Sequence, residues 1–293
     1  MQASHAMRAA LLYNPSAGGA TTEAELVSAL ERIGWNVPFR VSEEHLAPHL
    51  SKHADVVVAA GGDGTVATVA KRLARTELPM AIVPMGTVNN VARSLGLDLE
   101  WMAAVAGLAA PVERRIDLGA LYTGSKESYF VEGFSAGFLG HVLGNKARER
   151  HKKASRAFTL IANALETYPA HPYRVEADGR DLSGDYVLVA VMNARSLGPA
   201  LALAPGARLD DGSLDVVRIR PEEKGAIIAA LRRAESEEDI ALPVFETSRA
   251  QRVRIHGLGR WAHLDDEPWE LDDAVNIAVA RRAVRWLAPH QDE

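Results

Sequence analysis

The chain has 293 residues, 47% of them hydrophobic and 24% charged, with a formal net charge of −5 at pH 7. That is enough apolar material for one large domain or two ordinary ones, and too much for a disordered chain. The acidic balance leaves no basic footprint for nucleic acid, and the absence of cysteine excludes disulfides, thiol nucleophiles and cysteine-bound zinc.

Strand and helix signals alternate over the first ~115 residues. The opening "MQASHAM" is too short and polar for a signal peptide, and Met7 reads as the native start. No apolar run approaches the ~20 residues of a bilayer span. The expectation is a cytoplasmic protein with at most peripheral membrane contact. A short apolar run at 9–13 ends in "NPSAGG". Thr22 and Glu25 form a capping box for a helix that carries Leu26, Leu30 and Ile33 on one face and stops at Gly34. Strands are predicted at 37–41, 56–60 and 80–83. The strand at 56–60 is apolar throughout, as in a parallel sheet covered on both faces. This order implies an open, mostly parallel α/β sheet, in which ligands sit at the carboxyl ends of the strands.

The pattern changes near residue 112. Strand-like runs at 112–122 and 128–134 precede a predicted helix over 141–168, ended by Pro169. Strands then dominate at 173–177, 186–192, 214–220, 252–256 and 275–280, with a turn at Asp178-Gly179 and one helix near 222–234. Successive strands with turns indicate a second, antiparallel β-rich domain.

Three Gly-rich turns follow strands of the first part: "NPSAGG" at 14–19, "GGDGTV" at 61–66 and "PMGTVNN" at 84–90. Tight glycines let backbone N–H groups approach an anion, and a helix N-terminus adds a favourable dipole. The central turn lacks the Gly-Lys-Ser/Thr of a Walker A loop and the G-x-G-x-x-G of a dinucleotide fold. Asp63 lies where a carboxylate could hold magnesium against phosphate; Asp63 or Thr65 would otherwise be a helix N-cap. "APGARLDDGSLDVV", 204–217, reads first as a hairpin turn and second as a cation site at Asp211. "HLDDEPWEL", 263–271, crowds three carboxylates, one of which could act as a base, or forms a solvated acidic turn. The run 141–158 carries Lys146, Arg148, Arg150, Lys152, Lys153 and Arg156, a solvated face or one biased toward anionic lipid.

Taken together, "NPSAGG", "GGDGTVATVAKRL", "PMGTVNNVARSLGL", "APGARLDDGSLDVV" and "LDDEPW" resemble the diacylglycerol kinase catalytic family of bacterial soluble lipid kinases, related to sphingosine kinases, from about residue 9 to 286. "GGDGT" is shared with NAD kinases; the combination is far more specific. The resemblance implies an ATP-binding α/β domain at 8–115, to which the chain end 281–293 returns. It also implies a β-sandwich-like lipid-substrate domain at 116–280, with the active site in the cleft between the two. Carried over position by position, Asn14, Pro15, Ser16, Ala17, Gly18, Gly61, Gly62, Asp63, Gly64, Thr65, Val66, Ala67, Thr87 and Asn89 belong to nucleotide-binding turns, and Ser42 matches a threonine that contacts ATP. Arg208, Asp211 and Ser213 match a structural magnesium site ligated partly by main-chain carbonyls. Asp265 and Glu267 match the general-base turn D-G-E, and Asp63 is the catalytic magnesium organiser.

The implied function is an ATP- and Mg²⁺-dependent kinase acting on a hydroxyl of diacylglycerol or a related lipid, in transient contact with the inner membrane face. An exposed edge strand in the β domain would permit a homodimer. The chain departs from the family pattern at Asn90, Leu139 and Asp266, where relatives carry Asp, Asp and Gly; Glu132 stands seven residues before Leu139. Two other readings follow from these departures and from the shared motif: a catalytically weak nucleotide- or lipid-binding module, and a kinase for a soluble acceptor such as NAD.

Overall fold

The structure is a computed structural model that describes residues 6–17, 21–46, 52–124, 126–146, 154–234, 240, 242–256, 261–265, 267–269 and 274–289. Gly18, Asp266, Arg148, Arg150, Lys152 and Lys153 lie outside the described residues, as do the side chains of Lys146 and Arg156. The chain divides into two compact units, one holding Met1–Asp117 and Arg281–Glu293, the other Leu118–Ala280.

The first unit contains β1 (Met7–Tyr13), α1 (Glu23–Arg32), β2 (Trp35–Arg40), β3 (Val56–Gly61), α2 (Asp63–Leu73), β4 (Met80–Pro84), α3 (Asn90–Ser94), α4 (Trp101–Gly107) and the start of β5 (Val112–Thr123). β1 pairs in parallel with both β2 and β3, and β3 with β4. Every residue of β3 and β4 is buried, which explains their unbroken apolar sequence. The Thr22 hydroxyl and the Glu25 carboxylate cap α1 reciprocally, and the helix closes with Gly34 at φ +86°. Leu26 and Leu30 of α1 pack with Leu11, Val56, Val58 and Leu108 in one core.

The second unit runs through β6 (Lys126–Phe130), β7 (Gly133–Gly137), α5 (Phe138–Lys146), α6 (Ala154–Thr167), β8 (His171–Ala177), β9 (Arg180–Asp181), β10 (Gly184–Tyr186) and β11 (Leu188–Met192). It continues with β12 (Leu214–Ile219), α7 (Lys224–Arg233), β13 (Glu246–Ala250), β14 (Arg252–His256), β15 (Ala262–Leu264), β16 (Glu267–Trp269) and β17 (Ala274–Ala288). Two layers face each other. One sheet has the order β13-β12-β11-β7-β15-β16; the other places β10, β8, β14 and β17 side by side, with β5 on β17 and β6 on β5. Alternate residues of both, among them Phe134, Val189, Val216, Val175, Ile255 and Ile277, form a shared core. The opposite face of the first sheet is covered by Phe138, Phe158, Leu165, Ile227 and Leu231 from the helices. The end of β17 belongs to the first unit, where Trp286 pairs in parallel with Met80 of β4.

The fold is thus the expected α/β sheet followed by a β-sandwich-like region. Three local expectations are corrected. The run 186–192 is two strands: it breaks at Val187, whose N–H bonds to Ile219, so that β10 joins one sheet and β11 the other. Every residue from Tyr186 to Met192 is at most 1% exposed, so no polar position marks the break. The predicted helix 141–168 starts earlier, at Phe138; its described parts are Phe138–Lys146 and Ala154–Thr167, and 147–153 lie outside the described residues. Residues 204–213 do not form a hairpin arm; they run as turns into β12. No helix among the described residues is long and apolar enough to cross a membrane.

Candidate active site

The parallel strands of the first unit end at one edge. There Asn14 follows β1, Ser42 stands just past β2, Gly62 follows β3 and Met85 follows β4. Backbone bonds carry the ladder into the turns: Asn14 N–H donates to Ala60 at 3.0 Å, Val41 to Leu11 at 2.9 Å and Met85 to Gly61 at 2.9 Å. Short polar side chains then tie the turns together. Asn14 Nδ2 donates to Thr65 Oγ1 at 3.2 Å, joining the first turn to α2. Asp63 Oδ1 accepts the Val91 N–H at 3.0 Å, joining α2 to α3. Asn89, at φ +57°, closes its own turn: Oδ1 accepts from Gly86 N–H at 2.9 Å and Nδ2 donates to Gly86 O at 2.8 Å. Gly62 and Gly86 are in backbone contact, since a Cβ on Gly86 would lie 2.6 Å from Gly62 Cα. Gly61 is held to glycine by Thr65, whose Oγ1 would meet a Cβ there at 2.4 Å.

The N-cap of α2 is Gly62, not Asp63 or Thr65. The first-turn amides of α2, Gly64 and Thr65 among them, have no partner within the helix and lie at the carboxyl edge of the sheet. Ser16 N–H bonds back to Asn14 Oδ1 at 3.0 Å. Pro15, Ser16, Ser42, Gly64 and Thr87 are exposed and Ala17 is half-buried. Val66 and Ala67 turn away from this edge: both side chains are buried, and Val66 N–H already bonds to Gly62 O. Their side chains pack under the turn.

In the second unit, β15 and β16 form a hairpin whose turn holds Asp265 at φ +52°. The turn is not solvated as a whole. Asp265 is 4% exposed, and its Oδ1 receives the backbone N–H of Val131 at 3.0 Å, Glu132 at 2.8 Å and Gly133 at 3.4 Å. Asp265 N–H in turn donates to Gly133 O at 2.9 Å. The carboxylate therefore clasps the 131–133 segment, while Glu267 is exposed at the start of β16. Glu132 is 2% exposed, and its carbonyl accepts from Asn193 and Ala194. Leu139 is 1% exposed in the helical core beside Phe138 and Val142, an apolar setting unlike that of a metal ligand.

The side chains of Arg208 and Asp211 and the N–H of Ser213 have partners of their own. Arg208 bonds to Asp210 at 3.1 Å; Asp211 Oδ1 accepts from Ser213 N–H at 3.0 Å, and its Oδ2 pairs with Arg249. This is an aspartate turn with an arginine lid, so a magnesium ion on this carboxylate would have to displace Arg249. Nearby Asp215 is 8% exposed, and burial pushes its carboxyl above the usual range; Arg249 opposes that shift and Asp211 adds to it. Among the described residues no three histidines or carboxylates cluster as a metal site.

Sequence reading missed the partners rather than the motifs: the Val91 amide under Asp63, and the 131–133 amides under Asp265. The doubled asparagine at 89–90 was the available signal, because asparagine tolerates positive φ.

Residues 8–121 match the model of the diacylglycerol kinase catalytic domain, and residues 134–275 match that of the YegS C-terminal NAD kinase beta sandwich-like domain. A YegS-like lipid kinase of Pseudomonas putida is 32% identical over 273 residues, covering 87% of this chain and 86% of that one. A diacylglycerol kinase of Mycobacterium tuberculosis is 28% identical, with 87% of each chain covered. In a relative from Pseudomonas aeruginosa, 35% identical, the similar stretch spans 60% of this chain and 57% of the relative. Among solved structures, a diacylglycerol kinase of Bacillus anthracis shares the fold with a TM-score of 0.75, at 19% identity and with 96% and 97% of the two chains covered. An NAD kinase of Archaeoglobus fulgidus in complex with ATP gives a TM-score of 0.54 at 14% identity, covering 97% and 94%. With turns, sheets and relatives in agreement, the chain belongs to the diacylglycerol kinase catalytic family.

Proposed function

We propose that the protein is an ATP- and magnesium-dependent lipid kinase that transfers the γ-phosphate of ATP to a hydroxyl of diacylglycerol or a related lipid. The observation that carries this reading is the binding together of three turns at one sheet edge by Asn14 and Asp63, the third of them closed by Asn89, with the start of α2 among them. Such an edge offers fixed amides to a phosphate tail without a lysine or a Walker loop. Magnesium, a hard cation with oxygen ligands, would neutralise phosphate charge beside the Asp63 carboxylate. One Asp63 oxygen is engaged by Val91, which suits contact through metal-bound water better than two-oxygen ligation. Glu267, the exposed carboxylate of its turn, accepts the proton of the lipid hydroxyl; Asp265 fixes the turn that presents it. The acceptor is taken up at a membrane surface by a peripheral, cytoplasmic protein.

The test is incubation with ATP, magnesium and total lipid extract, with mass spectrometry for lipids heavier by one phosphate. A new phosphorylated lipid that disappears with Asp63→Asn supports the reading. Magnesium-dependent ATP binding without any product would favour the weak-catalysis reading, which the buried apolar setting of Leu139 supports. Product formed without vesicles and saturating with NAD would move the acceptor to a soluble compound.

A further inference from the structure

We propose that the second unit carries an anion site for a phosphate ester on the outer face of its β8–β14–β17 layer, built by Arg252 and Arg254. β14 alternates strictly: Val253 and Ile255 enter the sandwich core, and Arg252 and Arg254 stand on the other face. Two residues apart on one strand, their Cα atoms are about 7 Å from each other, within reach of a single phosphate for two guanidinium forks. They line a groove of about 670 Å³, a size typical of small-molecule sites, together with Tyr122, Gln251 and Asn276.

Their charge is left open. Arg8, Arg40, Arg218, Arg249 and Arg285 are each paired with a carboxylate, whereas neither Arg252 nor Arg254 makes a side-chain hydrogen bond or ion pair among the described residues. Two carboxylates share the groove, and neither neutralises them. Asp178 spends both oxygens on the backbone N–H groups of Gln251 and Arg252, each at 2.9 Å. Glu176 stands opposite Arg254 in register without pairing to it. A chain with a net charge of −5 thus concentrates two unpaired guanidinium groups in one concavity. Further polar groups line it: Asn276 lies opposite Arg254 on β17, with Gln251 and the Tyr122 hydroxyl, which donates to Glu127 at 2.9 Å. Those groups suit a hydroxylated organic portion such as a glycerol phosphate and not an acyl chain. The same chemistry occurs in a free phosphate ester and in a phospholipid headgroup.

The site is independent of the kinase reading, and its test separates the two. Titration calorimetry of the full chain with sn-glycerol 3-phosphate addresses the free ester; flotation with phosphatidylcholine vesicles, with and without phosphatidate, addresses the headgroup. Saturable binding in either arm identifies the source. Arg252→Gln with Arg254→Gln should weaken it by about tenfold or more, and Asp63→Asn should leave it intact. Glu176→Gln, which removes the competing carboxylate, should tighten it severalfold and carries the test should the double variant not fold. Absence of saturable binding in both arms, a double variant that binds like the parent, or an unchanged affinity in Glu176→Gln overturns the site.

Discussion

The turns of the first unit and the acidic turn of the second solve opposite problems. At the parallel edge, the groups presented outward are backbone amides, and side chains are straps: Asn14 to Thr65, Asp63 to Val91, Asn89 to Gly86. At the β15–β16 hairpin the relation is reversed. Backbone amides of 131–133 are the strap, and the side chain of Glu267 is what the turn presents. A cradle for phosphate needs many weak, fixed donors, which backbone supplies without conformational loss. Proton acceptance needs one titratable oxygen, which only a side chain supplies.

The comparison is most exposed at Asp63, which is a strap by geometry and a metal partner by proposal. Asp63→Asn keeps an oxygen for the Val91 N–H and removes the charge. Transfer should fall by about 10³-fold, the scale of a lost electrostatic stabiliser, while the melting temperature stays near that of the parent. Asp63→Ala should lose both, with about 0.5–2 kcal/mol of stability for the missing cap. Normal turnover by Asp63→Asn would make Asp63 a strap alone. The second unit allows the mirror experiment. Glu267→Gln should slow transfer by about 10²-fold with ATP affinity and stability unchanged. Asp265→Asn should cost stability first, about 1–3 kcal/mol, because a buried acceptor becomes partly a donor facing three amides. Should Asp265→Asn retain full stability and lose only kcat, the two roles would have to be exchanged.

How much of this was legible in the sequence depended on whether the determinant was local. The Thr22–Glu25 cap, the buried β3 run and the Gly34 stop follow from neighbours within a few residues, and the spacing of the motifs located all three turns at the sheet edge. The breaks that went unseen have no local mark. Val187 ends one strand and opens another inside a run of uniformly buried residues, and only pairing across to Ile219 distinguishes the halves. The clasp made by Asp265 was likewise hidden, because its partners at 131–133 stand more than 130 positions away in the chain. Val66 and Ala67 show what the motif does not tell apart: their side chains are buried, whereas Gly64 in the same motif is exposed.

Backbone contact in the first unit can be challenged with a single methyl group. In Gly86→Ala the new Cβ would lie 2.6 Å from Gly62 Cα and 2.8 Å from Asn89 Oδ1. The Gly62 atom is backbone and the Asn89 oxygen is already bonded, so the turns must part. We expect about 1–3 kcal/mol of lost stability and an ATP affinity lowered by about tenfold, measured by thermal melts and nucleotide titration. The equivalent change at Gly206, where a Cβ would meet nothing within 4 Å, should alter neither.

The smallest effect is expected at Asp215 and sharpens the contrast within the second unit itself. Two of the buried carboxylates of that unit, Asp215 on β12 and Asp265 in the β15–β16 turn, belong to the same sheet. The Asp265 carboxylate is satisfied by three amides, whereas the Asp215 side chain makes no hydrogen bond among the described residues and relies on the nearby charge of Arg249. Burial outweighs that attraction and raises the Asp215 carboxyl above its ordinary value. A raised folded-state value means that the native protein holds this proton more tightly than the unfolded chain does. Its contribution to stability is therefore fully present below the unfolded value, near pH 4, and is lost as pH rises through the folded value. Asp215→Asn removes the ionisation and should raise the melting temperature at pH 7, with the gain shrinking toward zero near pH 4. An Asp265→Asn melt run over the same pH range should show a loss at pH 7. If Asp215→Asn instead lowers stability at neutral pH, the Arg249 attraction exceeds the burial cost, and both carboxylates belong to one class of satisfied buried acid.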